Sequence, residues 1–222
     1  MVKQLDFWSR TVTILGGGEF SKVDLDACLA YGSVLISADG GANKISNTNY
    51  KIDYIIGDLD SIKYEKFWEK KGSKFIEIKE QESTDFEKCL YSVNAATYFC
   101  IGFMGRRSDH FLSVCSTLAK YYSKKVVLVG TYDIIFHLPK VFEIKLPAGV
   151  RFSLFPIKPI IGIKSSGLKW SISGVKFDPI KTIGTSNVTT SKEIKLEVSD
   201  NGMLLILPRA CLSNVVEVFK NV

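Results

Sequence analysis

At 222 residues the chain has room for one or two domains and a sizeable core, and 46% hydrophobic with 23% charged residues excludes a disordered or fibrous polypeptide. Lys and Arg outnumber Asp and Glu by 29 to 23, a net charge of +6 that suits an anionic partner. No arginine-rich run or nucleic-acid module accompanies that charge, which speaks against a nucleic-acid role.

In chain order, short apolar runs at 12–15, 34–38, 54–56, 75–78, 99–101 and 126–129 alternate with amphipathic stretches. The clearest helix spans 85 to about 98, where Phe86, Cys89, Leu90, Val93, Ala96 and Thr97 keep a 3.6-residue rhythm; a second covers 109–122. Lys63, Lys66, Lys70 and Lys71 alternate with Glu65 and Glu69 as a solvated helix face would. Strands alternating with helices imply a mainly parallel sheet covered on both faces. After Gly130 the pattern becomes short β-rich runs at 134–137, 142–146, 151–155, 160–163, 168–172, 192–198 and 203–207, broken by Pro and Gly. The expected fold is therefore α/β: an N-terminal, mainly parallel sheet flanked by helices over residues 1–132, followed by a C-terminal antiparallel β-sandwich over 133–222. Asp200-Asn201-Gly202 predicts a hairpin joining 192–198 to 203–207.

Four acidic segments sit where a strand should hand over to a helix: Ala38-Asp39-Gly40-Gly41-Ala42, Gly57-Asp58-Leu59-Asp60-Ser61, Glu82-Ser83-Thr84-Asp85 and Arg107-Ser108-Asp109-His110. Ligands of open α/β sheets lie beyond the carboxyl ends of the strands, so acids repeated there indicate a site for metal and phosphate. Asp58 and Asp60 supply the one or two carboxylates that Mg²⁺ commonly takes from a protein while sharing substrate phosphates. Asp39 is followed by Gly40 and Gly41, whose backbone can approach a ligand closely. Thr84 and Glu87 have capping-box spacing, and a helix start there would also offer free N–H groups to phosphate. Gly16-Gly17-Gly18 could cradle phosphate or form a tight turn; it lacks the spacing of a dinucleotide fingerprint or a P-loop. In the second half, the indole of Trp170 could serve a flat cationic ligand or pack in a core.

These segments, with Ser83-Thr84-Asp85-Phe86-Glu87-Lys88 and, farther on, Ser166-Gly167-Leu168-Lys169-Trp170 and Thr185-Ser186-Asn187, closely resemble the motifs of the thiamine pyrophosphokinase family. The resemblance covers most of the chain. It implies transfer of a pyrophosphoryl group from ATP to thiamine, with Mg²⁺ as cofactor, in a cytoplasmic homodimer whose acceptor site lies at the subunit junction. It further implies catalytic roles for Asp58, Asp60, Asp85 and Arg107, and metal ligation by Asp58, Asp60, Glu82 and Asp85. Asp39, Gly40, Gly41, Thr84, Asp109 and His110 would face ATP, while Trp170, Ser186 and Asn187 would face thiamine. Two departures stand out. Glu80-Gln81-Glu82 precedes the Thr where Asp is common, and Arg106 replaces a family glycine before Arg107. His110 suits either a general base or a holder of Asp109.

Two rival functions share much of this machinery: a pyrophosphokinase for another hydroxymethyl heterocycle such as a pterin, and a non-catalytic thiamine or nucleotide sensor. Cys28, Cys89, Cys100, Cys115 and Cys211 form no C-x-x-C pair and lie mostly in apolar segments, as reduced core residues of a cytoplasmic protein would. Lys3, Asp6 and Arg10 interrupt the first ten residues, so neither a secretion signal nor a membrane anchor is expected.

Overall fold

The computed structural model describes residues 8–32 and 34–220; most of the stretch used above to argue against a leader lies outside them. The first elements are β1 (Trp8–Leu15), α1 (Lys22–Leu29), β2 (Val34–Ala38), β3 (Tyr54–Gly57), α2 (Glu65–Lys70), β4 (Lys74–Glu77), α3 (Asp85–Ser92), β5 (Asn94–Ile101), α4 (Ser108–Lys120) and β6 (Val126–Val129). Then follow β7 (Asp133–His137), β8 (Val141–Lys145), β9 (Arg151–Pro156), β10 (Ile160–Ser166), β11 (Lys176–Phe177), β12 (Gly184–Val188), β13 (Glu193–Val198), β14 (Met203–Pro208) and α5 (Leu212–Lys220). The chain divides into two compact units. One extends to Val114 and takes in Leu128–Thr131; the other comprises Cys115–Val127 and the chain from Tyr132 on. No helix among the described residues is long and apolar enough to cross a membrane.

In the first unit the strand order is β5-β1-β2-β3-β4, all parallel. Ile14, Leu35, Ile36, Ile55, Ile56 and Phe99 are fully or almost fully buried, as expected of strands covered on both faces. Each contributes roughly 1.5–3 kcal/mol by leaving water. α1 starts on a capping box: Ser21 Oγ accepts from the Asp24 N–H, and the Asp24 carboxylate accepts from the Ser21 N–H. α3 starts on Thr84, whose hydroxyl accepts from the Glu87 N–H, and buries Phe86, Cys89 and Leu90.

The second unit holds two antiparallel sheets, β12-β9-β14-β7 and β11-β10-β13-β8. Phe136 of β7 meets Phe142 of β8 with ring centroids 5.6 Å apart, so the two sheets face each other as a sandwich; Phe219 of α5 packs edge-on against Phe136 at 5.4 Å. Along β8 and β13, Phe142, Ile144, Ile194, Leu196 and Val198 point inward while Glu143, Lys145, Lys195 and Glu197 point to solvent.

Three sequence expectations are corrected. The helix expected over 85–98 ends at Ser92, where Val93 turns extended (φ −108°, ψ 136°) and the chain enters the eight-residue β5. Ala96 and Thr97 continue the helical rhythm, but pairing of β5 along β1 from Trp8↔Asn94 to Leu15↔Ile101 overrides that local preference. The hairpin expected at Asp200-Asn201-Gly202 is instead a transfer between sheets: β13 pairs with β10 and β8, whereas β14 pairs with β7 and β9. Gly202 takes φ +109° there, so the turn signal reported chain reversal and not strand pairing. The run 168–172 contributes only an isolated bridge, Leu168 to Thr189.

Candidate active site

β1 lies between β2 and β5, so the connections leaving β1 and β5 run to opposite sides and leave a crevice at their carboxyl ends. A cleft of about 580 Å³ occupies this position within the first unit. Gly16 and Gly18 of the loop after β1 donate to the carbonyls of Ile101 and Gly102, both at 2.8 Å. A Cβ on Gly16 would stand 2.5 Å from the Gly102 oxygen, and one on Gly18 2.6 Å. The triglycine therefore lets two backbone loops touch, and two of its three N–H groups already bond protein rather than facing a phosphate.

Three strand-end acids converge at this crevice. Asp39, Asp58 and Asp60 each place a carboxylate oxygen within 4.8 Å of the others. Asp39 is only 3% exposed and holds φ +36°, an uncommon backbone for a side chain other than glycine. Its Oδ2 accepts from the Ser61 N–H at 3.2 Å, whereas its buried Oδ1 has no hydrogen-bond partner among the described residues. Leu59 takes φ +65° between the two acids of its loop. Ser61 Oγ donates to Asp60 Oδ1 at 2.8 Å. Asn43 staples the same loop, donating to the Ser61 carbonyl at 2.8 Å and accepting from the Lys63 N–H at 2.7 Å.

Gly57, at the end of β3, makes the convergence possible. A Cβ there would stand 2.6 Å from Asp39 Cβ and 3.1 Å from Asp85 Oδ1. Gly41 likewise lets the turn after β2 lie against β1, since its Cβ would meet the Leu15 oxygen at 2.5 Å. Gly40, Gly41, Thr84 and Asp85 all line the cleft. Asp85 joins the cluster through Lys88, whose side chain is only 2% exposed: Nζ lies 3.4 Å from Asp85 Oδ1 and 4.0 Å from Asp58 Oδ2.

Burial pushes the Asp39 carboxyl above the usual carboxylate range, and the neighbouring Asp58 charge adds to the shift. Asp85 is raised too, chiefly by burial, with Lys88 pulling the other way. Asp58 is lowered, first by the Gln81 amide, which donates to Oδ2 at 3.0 Å. An unpartnered buried carboxylate oxygen, grouped with two further carboxylates, fits a hard divalent cation that takes oxygen ligands.

The loop before α3 is shaped by Glu80. Its carboxylate accepts from the N–H groups of Glu82 at 2.8 Å and Ser83 at 3.0 Å, from Tyr91 Oη at 2.9 Å and from the Ser83 hydroxyl. These bonds, led by that of Ser83, pull the Glu80 carboxyl down to about 2. Glu82 is exposed and joins neither the acid group nor the cleft lining. At the rim, Gly105 and Arg106 take φ +79° and +59°, so Arg106 occupies a left-handed position that glycine adopts freely. Arg107 forks onto Asp109 with contacts of 2.7 and 3.2 Å, and this pairing lowers the Asp109 carboxyl to about 2. Arg107 and His110 line the cleft; Asp109 is exposed and paired to Arg107.

In the second unit Trp170 is 54% exposed, and Lys169 Nζ lies 4.7 Å from its ring centroid. Ser186 is exposed with φ +64°. Asn187 is buried, and its side-chain amide bonds the backbone of Trp170 and Val188.

A family model for the thiamin pyrophosphokinase catalytic domain matches residues 25–129, and one for the thiamin pyrophosphokinase vitamin B1 binding domain matches 141–204. Thiamine pyrophosphokinase 1 of Arabidopsis thaliana is 30% identical over 202 residues, covering 76% of this chain and 75% of that protein. The chain belongs to the thiamine pyrophosphokinase family. It is thus an enzyme of that class. Thiamine pyrophosphokinase 2 of Arabidopsis thaliana is 31% identical at the same coverage, again 76% of this chain and 75% of that protein. The thiamin pyrophosphokinase structure from Candida albicans shares the fold with a TM-score of 0.78 at 23% identity, over 90% of this chain and 89% of that one. The yeast thiamin pyrophosphokinase structure aligns with a TM-score of 0.76 at 18% identity, over 100% and 91%.

The catalytic-domain match of the thiamine pyrophosphokinase family spans Asp39, Asp58, Asp60, Asp85 and Arg107, and the B1-binding match spans Trp170, Ser186 and Asn187. Sequence reasoning passed over Lys88, Gln81 and Asn43. Lys88 stands at i+3 from Asp85, the spacing of an ordinary solvated helix pair, and nothing local shows that this face of α3 is buried. Gln81 and Asn43 act across 23 and 20 residues, onto Asp58 and Lys63, beyond the reach of any local signal.

Proposed function

We propose that the chain transfers the β,γ-pyrophosphoryl group of ATP to the hydroxyl of thiamine, giving thiamine diphosphate and AMP. The hydroxyl oxygen attacks the β-phosphorus, the bond from that phosphorus to the oxygen bridging the α-phosphate breaks, and the hydroxyl proton passes to a carboxylate of the cleft. One observation carries this reading: the buried, unpartnered Asp39 Oδ1 beside the carboxylates of Asp58 and Asp60 at the crevice between β1 and β5.

Asp39, Asp58 and Asp60 would hold Mg²⁺, with Asp85 beside them. When bound, the cation supplies charge compensation for the triphosphate. Asp58 is kept ionised for this role by the Gln81 amide. Lys88 holds Asp58 and Asp85 in place from beneath. The N-terminus of α3, opened by Thr84, offers N–H groups to phosphate oxygens, and Arg107 at the rim offers a guanidinium. Pyrophosphoryl transfer needs mainly alignment and charge compensation, so no protein nucleophile is required. Trp170 and the segment around Ser186 would receive thiamine, in a homodimer with the acceptor site at the subunit junction and in the cytoplasm. On this reading residues 1–132 serve ATP and metal, and 133–222 serve thiamine.

Incubating the purified protein with ATP, Mg²⁺ and thiamine, with and without EDTA, tests the reading by chromatography. Thiamine diphosphate and AMP should appear in equal amounts, and only without chelator. ADP as product would overturn the β-phosphorus assignment, and AMP release with a hydroxymethyl pterin but not with thiamine would overturn the acceptor.

A further inference from the structure

The segment 167–170 runs antiparallel to 187–190. Thr190 donates to the Gly167 carbonyl at 2.8 Å, Leu168 bridges Thr189, and Lys169 donates to the Val188 carbonyl at 2.8 Å. The Val188 N–H, which a regular ladder would direct to the Lys169 carbonyl, bonds Asn187 Oδ1 instead, and Trp170 falls at the following, non-hydrogen-bonded position. Ser186 turns to φ +64°, and the register of β12 against β9 shifts between Gly184 and Asn187, so the backbone has left the ladder. The side chain of Asn187 takes up the Trp170 backbone. Oδ1 accepts from the Trp170 N–H at 3.1 Å, and Nδ2 donates to the Trp170 carbonyl at 2.7 Å. A carboxamide carries the same donor and acceptor as a peptide unit, so one side chain satisfies both the N–H and the C=O of Trp170. Oδ1 also accepts from the Val188 N–H at 2.8 Å, and the residue is only 7% exposed.

We infer that Asn187 is a positioning residue that fixes both peptide planes flanking Trp170 and so presents the exposed indole to the acceptor. This rests on Trp170 receiving thiamine, as proposed above. It assigns Asn187 a different task from the thiamine contact implied by the family resemblance: Oδ1 already accepts two backbone N–H groups, Nδ2 gives one of its two donors to the Trp170 carbonyl, and the residue is only 7% exposed.

A double-mutant cycle read by calorimetry tests it, using thiamine and, separately, ATP with Mg²⁺ on the full chain. Asn187→Asp keeps the size but sets a carboxylate against the Trp170 carbonyl; Asn187→Ala removes both bonds, and serves if the first variant does not fold. Thiamine Kd should rise roughly tenfold or more, as for loss of a buried hydrogen-bond pair, while ATP Kd stays unchanged and certifies the fold. In a Trp170→Ala background the same change should have no further effect on thiamine Kd, because the residue acts through the indole. An equal loss in both backgrounds would mean direct contact or an independent role and would overturn the inference, as would unchanged thiamine affinity in both Asn187 variants. If Trp170→Ala alone binds thiamine as the wild type does, the platform reading fails and the positioning role with it. Unchanged Trp170→Ala affinity thus separates that failure from failure of the Asn187 role.

Discussion

At the scale of single residues, Asp39 combines three unfavourable features: burial, a left-handed backbone and an oxygen without a partner. A buried unsatisfied polar group costs about 1–3 kcal/mol, so the metal-free protein should gain stability when the charge is removed. Asp39→Asn is expected to unfold at a higher urea concentration than wild type in EDTA while turning over on the order of 10²-fold slower. A loss of stability in EDTA would count against a site strained in the absence of its cation. Asp58→Asn should lower turnover by roughly 10²–10³ with the fold intact, checked by steady-state assay and circular dichroism. His137 gives a separate, pH-linked prediction. Its Nε2 accepts from the Gly202 N–H at 2.8 Å, the Tyr122 ring and Lys158 face it, and burial pulls it from 6.5 down to about 4. The folded state thus binds fewer protons than the unfolded chain between these values. This contribution is fully present above about 6.5 and is lost as pH falls through 4; it amounts to about 3 kcal/mol. Urea titrations at pH 7 and pH 4.5 should show wild type losing more than His137→Gln, which retains an acceptor without titrating. Asp39, Asp58 and Asp60 were legible in the sequence because acid beside glycine after an apolar run has few purposes. Lys88 was not, since its burial depends on neighbours from other strands.

At the scale of elements, the loops after β1 and β5 touch through glycine. Gly16→Ala should cost roughly 1–3 kcal/mol by forcing those loops apart, and should raise the ATP KM with it. Gly17→Ala should be near neutral in the same urea titration, since no atom of the described residues lies within 4 Å of its Cβ position. Arg106 offers the reverse test. A side chain in the left-handed region costs roughly 1–2 kcal/mol, partly offset in glycine by unfolded-chain entropy, so Arg106→Gly should be neutral to about 1 kcal/mol more stable. The strand cores were legible from apolar runs, and Val34–Ala38 and Val126–Val129 match the sequence bounds. The α3–β5 boundary was not, because Ala95 and Ala96 suit a helix locally while strand pairing decides their state.

At the scale of the whole molecule, the change from alternating strands and helices to Pro- and Gly-broken β runs was visible in composition alone. Which strands share a sheet was not. The turn at Asp200-Asn201-Gly202 looks the same locally whether it closes a hairpin or carries the chain to another sheet. Ligand linkage supplies a prediction at this scale: ATP with Mg²⁺ at a hundred times its Kd should stabilise the chain by about 2.7 kcal/mol in thermal unfolding. EDTA or Asp58→Asn should remove most of that gain, and an ATP effect indifferent to both would separate the nucleotide from the acid group. Gly57 carries no functional atom beyond its backbone, yet any side chain there would clash with Asp39 and crowd Asp85. A survey of inactivating substitutions should therefore return this silent position beside the aspartates, and an observer tracking only ligand contacts would not know why.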